Sequence, residues 1–399
     1  MKKSIISILT AVMMVAVMSA AAFSSASEMP ESAEAVKEVP DIGIVMEGTL
    51  TSYKNVPLSV KGNTLLPLRE FLVYLGVPDS SSNFKYDSKE KAVEVTYEQI
   101  EILLYIGKTG AYINGEPVTL NTAPVLYNNY TYIPARSVAE AFGKKVVWDG
   151  ASRSILICAA EKYDVTKEIL TKSNEAALRA ERYKMDMAVE AVHASGLIKE
   201  NIEITAQSAV DKKDKKMQMD MLVKMSGLEF GTGVYFSSNA SYNRSLFDGN
   251  WYRTVYTDDE YDRLFEAQST SPGVKETLCA GLSQVDGESG DEITLSGDVY
   301  LADLYQSALA QQTKSLGTDT VGLPDFDTFK LVLVLDKNTY LVKSMTMDVS
   351  STQIDDGLTI KTDIGVSIRY GEYDGDFEVT VPEDVIKNAA DIETTAETL

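Results

Sequence analysis

From about residue 216 onward, apolar and polar positions alternate. In KMQMDMLVKM, residues 216–225, Met217, Met219, Met221, Val223 and Met225 fall on one side of an extended chain, and Gln218, Asp220 and Lys224 on the other. The same period of two runs through LEFGTGVYFSS, NRSLFDGNWYRTVYT, FKLVLVLDKNTYLVKSMTMDVS and TIKTDIGVSIRY, with turn residues at Asp248-Gly249 and Asp336-Lys337-Asn338. Such a pattern predicts a large, mainly antiparallel sheet with one apolar face. Helical periods at residues 259–268 with 274–282, and at 301–316, interrupt the strands and predict helices covering the concave side of a curved sheet. Ahead of it, residues 163–196 (YDVTKEILTKSNEAALRAERYKMDMAVEAVHASG) predict one or two helical segments.

The first part of the chain is built on a duplication. TLLPLREFLVYLG, residues 64–76, returns as TYIPARSVAEAFG, residues 131–143, and YDSKEKAVEV, residues 86–95, aligns with WDGASRSILI, residues 148–157. Between phrase and strand the first copy is five residues longer, which suits a surface loop. Each copy reads as a strand, then a short helix opened by Pro67 or Pro134. Leu68, Phe71, Leu72 and Leu75, or Ala135, Val138, Ala139 and Phe142, form its apolar face, and Gly76 or Gly143 closes it before a hairpin. Further strands with an Asn114-Gly115 turn lie between the copies. Residues 42–158 therefore predict an α+β domain of two pseudo-symmetric halves. Arg69 recurs as Arg136 and Asp87 as Asp149, which predicts an ion pair tying helix to hairpin in each half. Anion binding is the alternative role for both arginines.

These residues resemble the copper amine oxidase-like N-terminal domain, or stalk domain, found in many exported proteins of Gram-positive and related bacteria. The resemblance covers roughly residues 44–158 and implies a structural or interaction module. Oxidase chemistry does not follow from it. Asn129-Tyr130 is followed by Thr131 where an acid is needed, and the single histidine, His193, cannot supply the three that hold copper. The strand DGNWYRT, the hairpin FKLVLVLDKNTYLVKSMTMDVS and the closing VPEDVIKNA are similar to the lipoprotein-carrier superfamily over roughly residues 165–390. That resemblance implies a curved half-barrel with helices on its concave side, binding or sensing an apolar molecule without catalysis.

Targeting and linkers complete the domain plan. Lys2 and Lys3, an apolar run over residues 5–18 and small residues to Ala26 read as a signal peptide, residues 1–26. An uncleaved anchor is the alternative. Residues 27–41 read as a flexible acidic leader, 159–165 as a linker, 166–390 as the half-barrel domain and 391–399 as a disordered tail. The protein is expected to be secreted or associated with the cell surface.

Composition narrows the chemistry. A net charge of −22 argues against nucleic acid and anionic membranes as partners. His193 alone would have to serve any Ser–His–Asp or Cys–His arrangement, and no zincin, phosphate-loop or dinucleotide motif occurs. Two cysteines, Cys158 and Cys279, are too few for a zinc site; placed in different domains, they read as separate packed thiols, with a cross-domain disulfide in an oxidising compartment as the alternative. DGESGDE, residues 286–292, lacks calcium-loop spacing and reads as a solvated loop. The 59 acidic residues single out no catalytic pair. No catalytic residue, metal or cofactor is assigned.

Eight of the ten methionines beyond the signal segment lie in the second half. Methionine adapts to irregular apolar ligands, so Met217, Met219, Met221, Met225, Met345 and Met347 are candidates for lining a lipid or other apolar molecule. An ordinary sheet core gives the same pattern. Three functions stay open: an envelope protein whose stalk domain contacts wall polymer or another protein while its second domain binds an apolar ligand; a purely structural or adhesive protein; and a carboxylate-dependent hydrolase.

Overall fold

The computed structural model describes residues 36–150, 152–196, 198–245, 248–269, 274–286, 289–300, 326–355 and 358–392. The expected signal peptide, most of the leader, the helix at 301–316 and nearly all of the tail lie outside the described residues. The class is mixed α+β, in two compact units.

The first unit holds residues up to Val165 together with Glu276–Leu282. Its elements are β1 (Lys37–Glu38), β2 (Gly43–Met46), β3 (Thr49–Leu50), β4 (Leu58–Val60), β5 (Asn63–Pro67), α1 (Leu68–Tyr74), β6 (Phe84–Asp87), β7 (Ala92–Tyr97) and β8 (Ile100–Tyr105). There follow β9 (Gly110–Ile113), β10 (Glu116–Thr119), β11 (Val125–Tyr127), β12 (Tyr130–Pro134), α2 (Ala135–Ala141), β13 (Lys144–Asp149) and β14 (Ser154–Ala159). They form three sheets, ordered β1-β4-β5-β12-β11, β10-β9-β8-β7-β6 and β13-β14-β2-β3.

The repeated phrase is where the halves meet. β5 pairs antiparallel with β12, Leu66 opposite Ile133 and Leu65 opposite Pro134. Each strand runs through its proline into a helix whose inner residues enter one shared core: Leu68, Phe71 and Leu72 from α1, and Ala135, Val138 and Ala139 from α2. Gly76 and Gly143 follow at φ 97° and 67°, a left-handed conformation that glycine adopts without penalty.

The predicted ion pairs do not form. Arg69 instead reaches Asp79 at 2.6 Å and lies over the Phe84 ring, 4.6 Å from its centroid. Arg136 is exposed and makes no ion pair among the described residues. The Asp87 carboxylate accepts from the Lys89 and Glu90 backbone N–H groups at 2.8 and 3.3 Å, and Asp149 accepts from the Ser152 N–H and hydroxyl. A short carboxylate at the start of a turn finds N–H donors two or three residues on more readily than a distant guanidinium. The aspartates recur because the turn recurs.

Three segments differ from the expected boundaries. Lys37 and Glu38, read as leader, pair with Ser59 and Leu58. Residues 159–165, read as a linker, are the end of β14 and the start of α3 (Ala160–Arg179), a helix unbroken by glycine or proline. Ala390–Asp391 forms a short strand at the end of the described chain. The helix expected to cover the second sheet from residues 274–282 is α5 (Glu276–Gly281), which packs on β14 within the first unit; Glu276 accepts a hydrogen bond from the Tyr163 hydroxyl. Cys158 and Cys279 thus fall in one unit, both buried and not joined by a disulfide, and burial pushes the Cys158 thiol up to about 12.

The second unit is organised by one twelve-stranded sheet. It comprises β15 (Arg182–Ser195), β16 (Ile198–Asp211), β17 (Lys216–Met225), β18 (Leu228–Ser237), β19 (Ala240–Arg244), β20 (Trp251–Val255), β21 (Leu282–Val285), β22 (Glu292–Asp298), β23 (Phe326–Asp336), β24 (Val342–Asp355), β25 (Leu358–Gly371) and β26 (Ala390–Asp391). The order is β21-β22-β23-β24-β25-β15-β16-β17-β18-β19-β20-β26, with β20 and β26 parallel. Helix α4 (Asp258–Ser269) packs on the sheet, and α6 (Glu383–Asn388) precedes β26. α3 passes the turns at one end of the sheet: Lys172 lies over the Tyr340 ring at 5.1 Å, and Lys212 donates to the Ala177 carbonyl at 2.6 Å. Residues 182–195, expected to be helical, are strand β15. Their Met, Ala and Glu favour helix, but buried Met185, Met187, Val189 and Ala191 alternate with exposed Asp186, Ala188 and Glu190, and sheet pairing on both sides overrides propensity.

Phe71→Ala is expected to destabilise the first unit by about 3–5 kcal/mol through the cavity it leaves. Arg136→Ala should stay within about 0.5 kcal/mol of the parent. Urea unfolding of both variants checks this; a large loss for Arg136→Ala would restore the paired-arginine reading.

Candidate functional site

Cross-strand register assembles the methionines. Leu295, Leu333, Met345, Ile368, Met187, Ala206 and Met221 stand side by side across β22 to β25 and β15 to β17. One row further are Leu331, Met347, Val366, Val189, Ile204 and Val223. On the other side Tyr370, Met185, Ser208 and Met219 align, then Val210, Met217 and Phe236. Met225 opposes Ile202 and Leu228. Rows two residues apart share a face, so all six candidate methionines, with Met185 and Met187, lie on one side of the sheet.

That face is not uniformly filled. Met217 is packed with Val210 and Phe236 beneath Tyr261 and Phe265 of α4, so it is committed to a solid core. Beside this cluster Tyr183, Tyr370 and Tyr373 group with ring centroids 6.1–6.4 Å apart, an aromatic assembly that the alternation did not reveal because Tyr373 lies beyond its strand. Burial pushes the Tyr370 phenol up to about 12, and the Tyr183 and Tyr373 phenols are raised by the same cause. Away from that end Met187 and Met347 are buried, while Met219, Met221, Met225 and Met345 are only partly covered.

The opposite face is polar. Asp186, Gln207, Asp220 and Arg369 stand in adjacent strands and, with Ala188 and Leu222, line an open hollow of about 580 Å³. Gln207 donates to Asp186 at 3.2 Å and the Tyr235 hydroxyl to Asp220 at 2.7 Å.

Reactive chemistry is sparse. Among the described residues Asp211 is the one buried carboxylate, and Arg182 holds it at 2.9 Å. No group of three or more His, Cys, Asp or Glu among them could hold a metal ion. No described helix is long and apolar enough to cross a membrane. His193, expected on a helix, lies buried on the apolar face of β15, its Nδ1 3.1 Å from the Thr362 hydroxyl. Burial lowers its pKa, with the Glu200 carboxylate on the paired strand opposing.

A family model for the copper amine oxidase N-terminal domain matches residues 45–157, and one described as a family of unknown function (DUF6612) matches residues 165–390. No curated protein matches the chain. Among solved structures, LprF from Mycobacterium bovis is similar at 10% identity over 55% of this chain and 97% of that one, with a TM-score of 0.29. The ywiB protein from Bacillus subtilis is similar at 10% identity over 48% and 94%, with a TM-score of 0.15. A DUF1329 family protein from Desulfovibrio piger ATCC 29098 is similar at 8% identity over 54% and 95%, with a TM-score of 0.20. Each superposition is loose, so the likeness carries no weight for function; the register of the sheet does.

His193 supplies a pH test of the apolar face. Its folded pKa lies below the unfolded value of about 6.5, so the unfolded chain takes up a proton that the folded one refuses. The stability it contributes is present above about pH 6.5 and lost as the pH falls from there to the lower, folded pKa. The urea midpoint should drop between about pH 7 and pH 5.5, and His193→Gln should flatten that drop. An unchanged slope in the variant would place the titration elsewhere.

Proposed function

This chain belongs to the family of unknown function matched over residues 165–390, and on that premise we propose an exported, non-catalytic bacterial envelope protein whose second unit holds an apolar molecule such as a lipid. In this reading the first unit provides contact with the envelope. One observation carries the proposal: register gathers eight methionines of β15, β17 and β24 on one face, and four of them stay partly uncovered beside a fully packed end. Unbranched, polarizable side chains repack around acyl chains of varying shape at little cost. Buried aliphatic neighbours such as Ile204, Val223 and Val366 form the floor between these methionines, and the aromatic end limits how far a ligand slides. Met219, Met221, Met225 and Met345 are its contacts; Met217 supports the wall, and Met347 lies beneath it.

The competing reading is a scaffold whose face is filled throughout, favoured by the packing around Met217. A hydrolase reading needs two facing carboxylates in a cleft; the one buried carboxylate among the described residues, Asp211, faces Arg182 at 2.9 Å instead.

Purified full chain mixed with a bacterial lipid extract should retain an apolar molecule in native mass spectrometry and take up a fluorescent acyl probe. Met221→Lys should weaken uptake at least about tenfold, since a charge on an apolar face must be desolvated, while Met221→Leu retains it. Absence of any retained lipid or probe uptake in the parent protein leaves the scaffold reading.

A further inference from the structure

The outer face of α1 is not explained by the core that α1 covers. Both halves of the first unit bury the same three inner helix positions, which their shape requires. Arg69, Glu70, Val73 and Tyr74 instead line a hollow of about 840 Å³, together with residues of the 52–55 loop, the β6–β7 hairpin and the Asn129–Thr131 stretch. The second half carries Ser137, Glu140 and Ala141 where the first has Glu70, Val73 and Tyr74. The extra five residues of the first half also fall in the stretch that supplies Asp79. The groove is built on the helix and hairpin of the first half and closed by Asn129–Thr131 at the start of the second, and the second half has no equivalent of Glu70, Val73 and Tyr74, so the duplicated fold does not account for it.

Its rim is aromatic. Tyr74, Tyr86 and Tyr130 are 42%, 56% and 52% exposed, an unusual density of bare rings around one hollow. Tyr130 is presented by a tight turn in which Asn128 and Asn129 take φ values of 47° and 65°. The polar groups are fixed in advance. The Glu70 carboxylate accepts from the Lys54 N–H at 2.6 Å and from the Asn55 amide at 2.5 Å. Arg69 is held between Asp79 and the Phe84 ring. The Tyr74 hydroxyl donates to the Ser52 carbonyl at 2.7 Å and accepts from its N–H at 3.1 Å. Guanidinium, amide and carboxylate have hydrogen-bonding capacity beyond these contacts, already oriented.

Charge selects the class of ligand. Lys54, Arg69 and Lys85 stand against Glu70 and Asp79, and Lys85 also meets Glu94 at 3.3 Å. The groove is close to neutral in a chain of net charge −22. It offers a polyanion no excess of positive charge and a basic segment no excess of negative charge. Exposed rings beside fixed planar polar groups suit a pyranose, whose C–H faces stack on tyrosine while its hydroxyls meet amide, guanidinium and carboxylate. We infer that this groove binds the uncharged sugar backbone of a glycan strand. Glu70 and Asp79 are each tied to neighbours, so the groove holds sugar without cleaving it. A glycan strand would be the envelope partner of the first unit, a role that rests on the proposed envelope location; the binding itself is independent of the apolar face.

The test is titration of the full chain with tetra-N-acetylchitotetraose, a soluble neutral oligosaccharide, and co-sedimentation with peptidoglycan sacculi stripped of anionic polymer. Saturable binding to both is expected. Tyr86→Ala and Tyr130→Ala should each weaken it about tenfold, the loss of one stacked ring. Tyr112→Ala, an exposed tyrosine outside the groove, and Met221→Lys should leave it unchanged. No binding to either probe, binding only to an anionic polyglycerol phosphate, or full binding by both groove variants would overturn the inference. Lipid retention would survive each of these results, so failure here is distinguishable from failure of the apolar-ligand reading.

Discussion

Four strands of fourteen residues, β15, β16, β24 and β25, lie next to one another at the heart of the second unit, each paired along nearly its whole length. Their register is the constraint on which the rest depends. A slip of one residue in β15 would carry Met185, Met187, Val189, Ala191 and His193 to the polar side and bring Asp186 and Glu190 inward. The cost of burying those carboxylates holds the register, and the register in turn makes one face from methionines that the sequence scatters over 163 positions, from Met185 to Met347. The contrast between the packed aromatic end and the half-covered methionines depends on which rows α4 reaches.

The first unit uses pairing differently. Its two halves meet where β5 and β12 cross-pair, so each copy of the phrase supplies half of one core. Inner helix positions must stay apolar in both copies for that core to close. Outer positions are free of the constraint, and there the copies diverge: Tyr74 against Ala141, Glu70 against Ser137. Shape is shared, while surface chemistry belongs to one copy.

Several features are legible because they are local. The strand–proline–helix–glycine units, the polar turns and the alternating strands from residue 216 arise from short-range patterns that the chain carries along itself. Local pattern also misleads. Residues 182–195 carry helix-forming side chains and fold as strand because neighbours on both sides offer hydrogen bonds. Arg69 and Asp87 recur together as an ion pair would, yet each finds a nearer partner. Cys279 and its short helix sit with Cys158, against the order of the chain, since contact rather than sequence distance defines a unit.

Sequence alone determined the class of each half, the doubled core motif and the segregation of methionine to one side of each strand, because periods of 2 and 3.6 are properties of a single segment. Tertiary structure decided which strands became neighbours, which methionines were sealed beneath α4, and which tyrosines gathered around the groove beside α1. Those outcomes depend on residues far apart in the chain, whose meeting is set by the balance of burial and pairing over the whole unit.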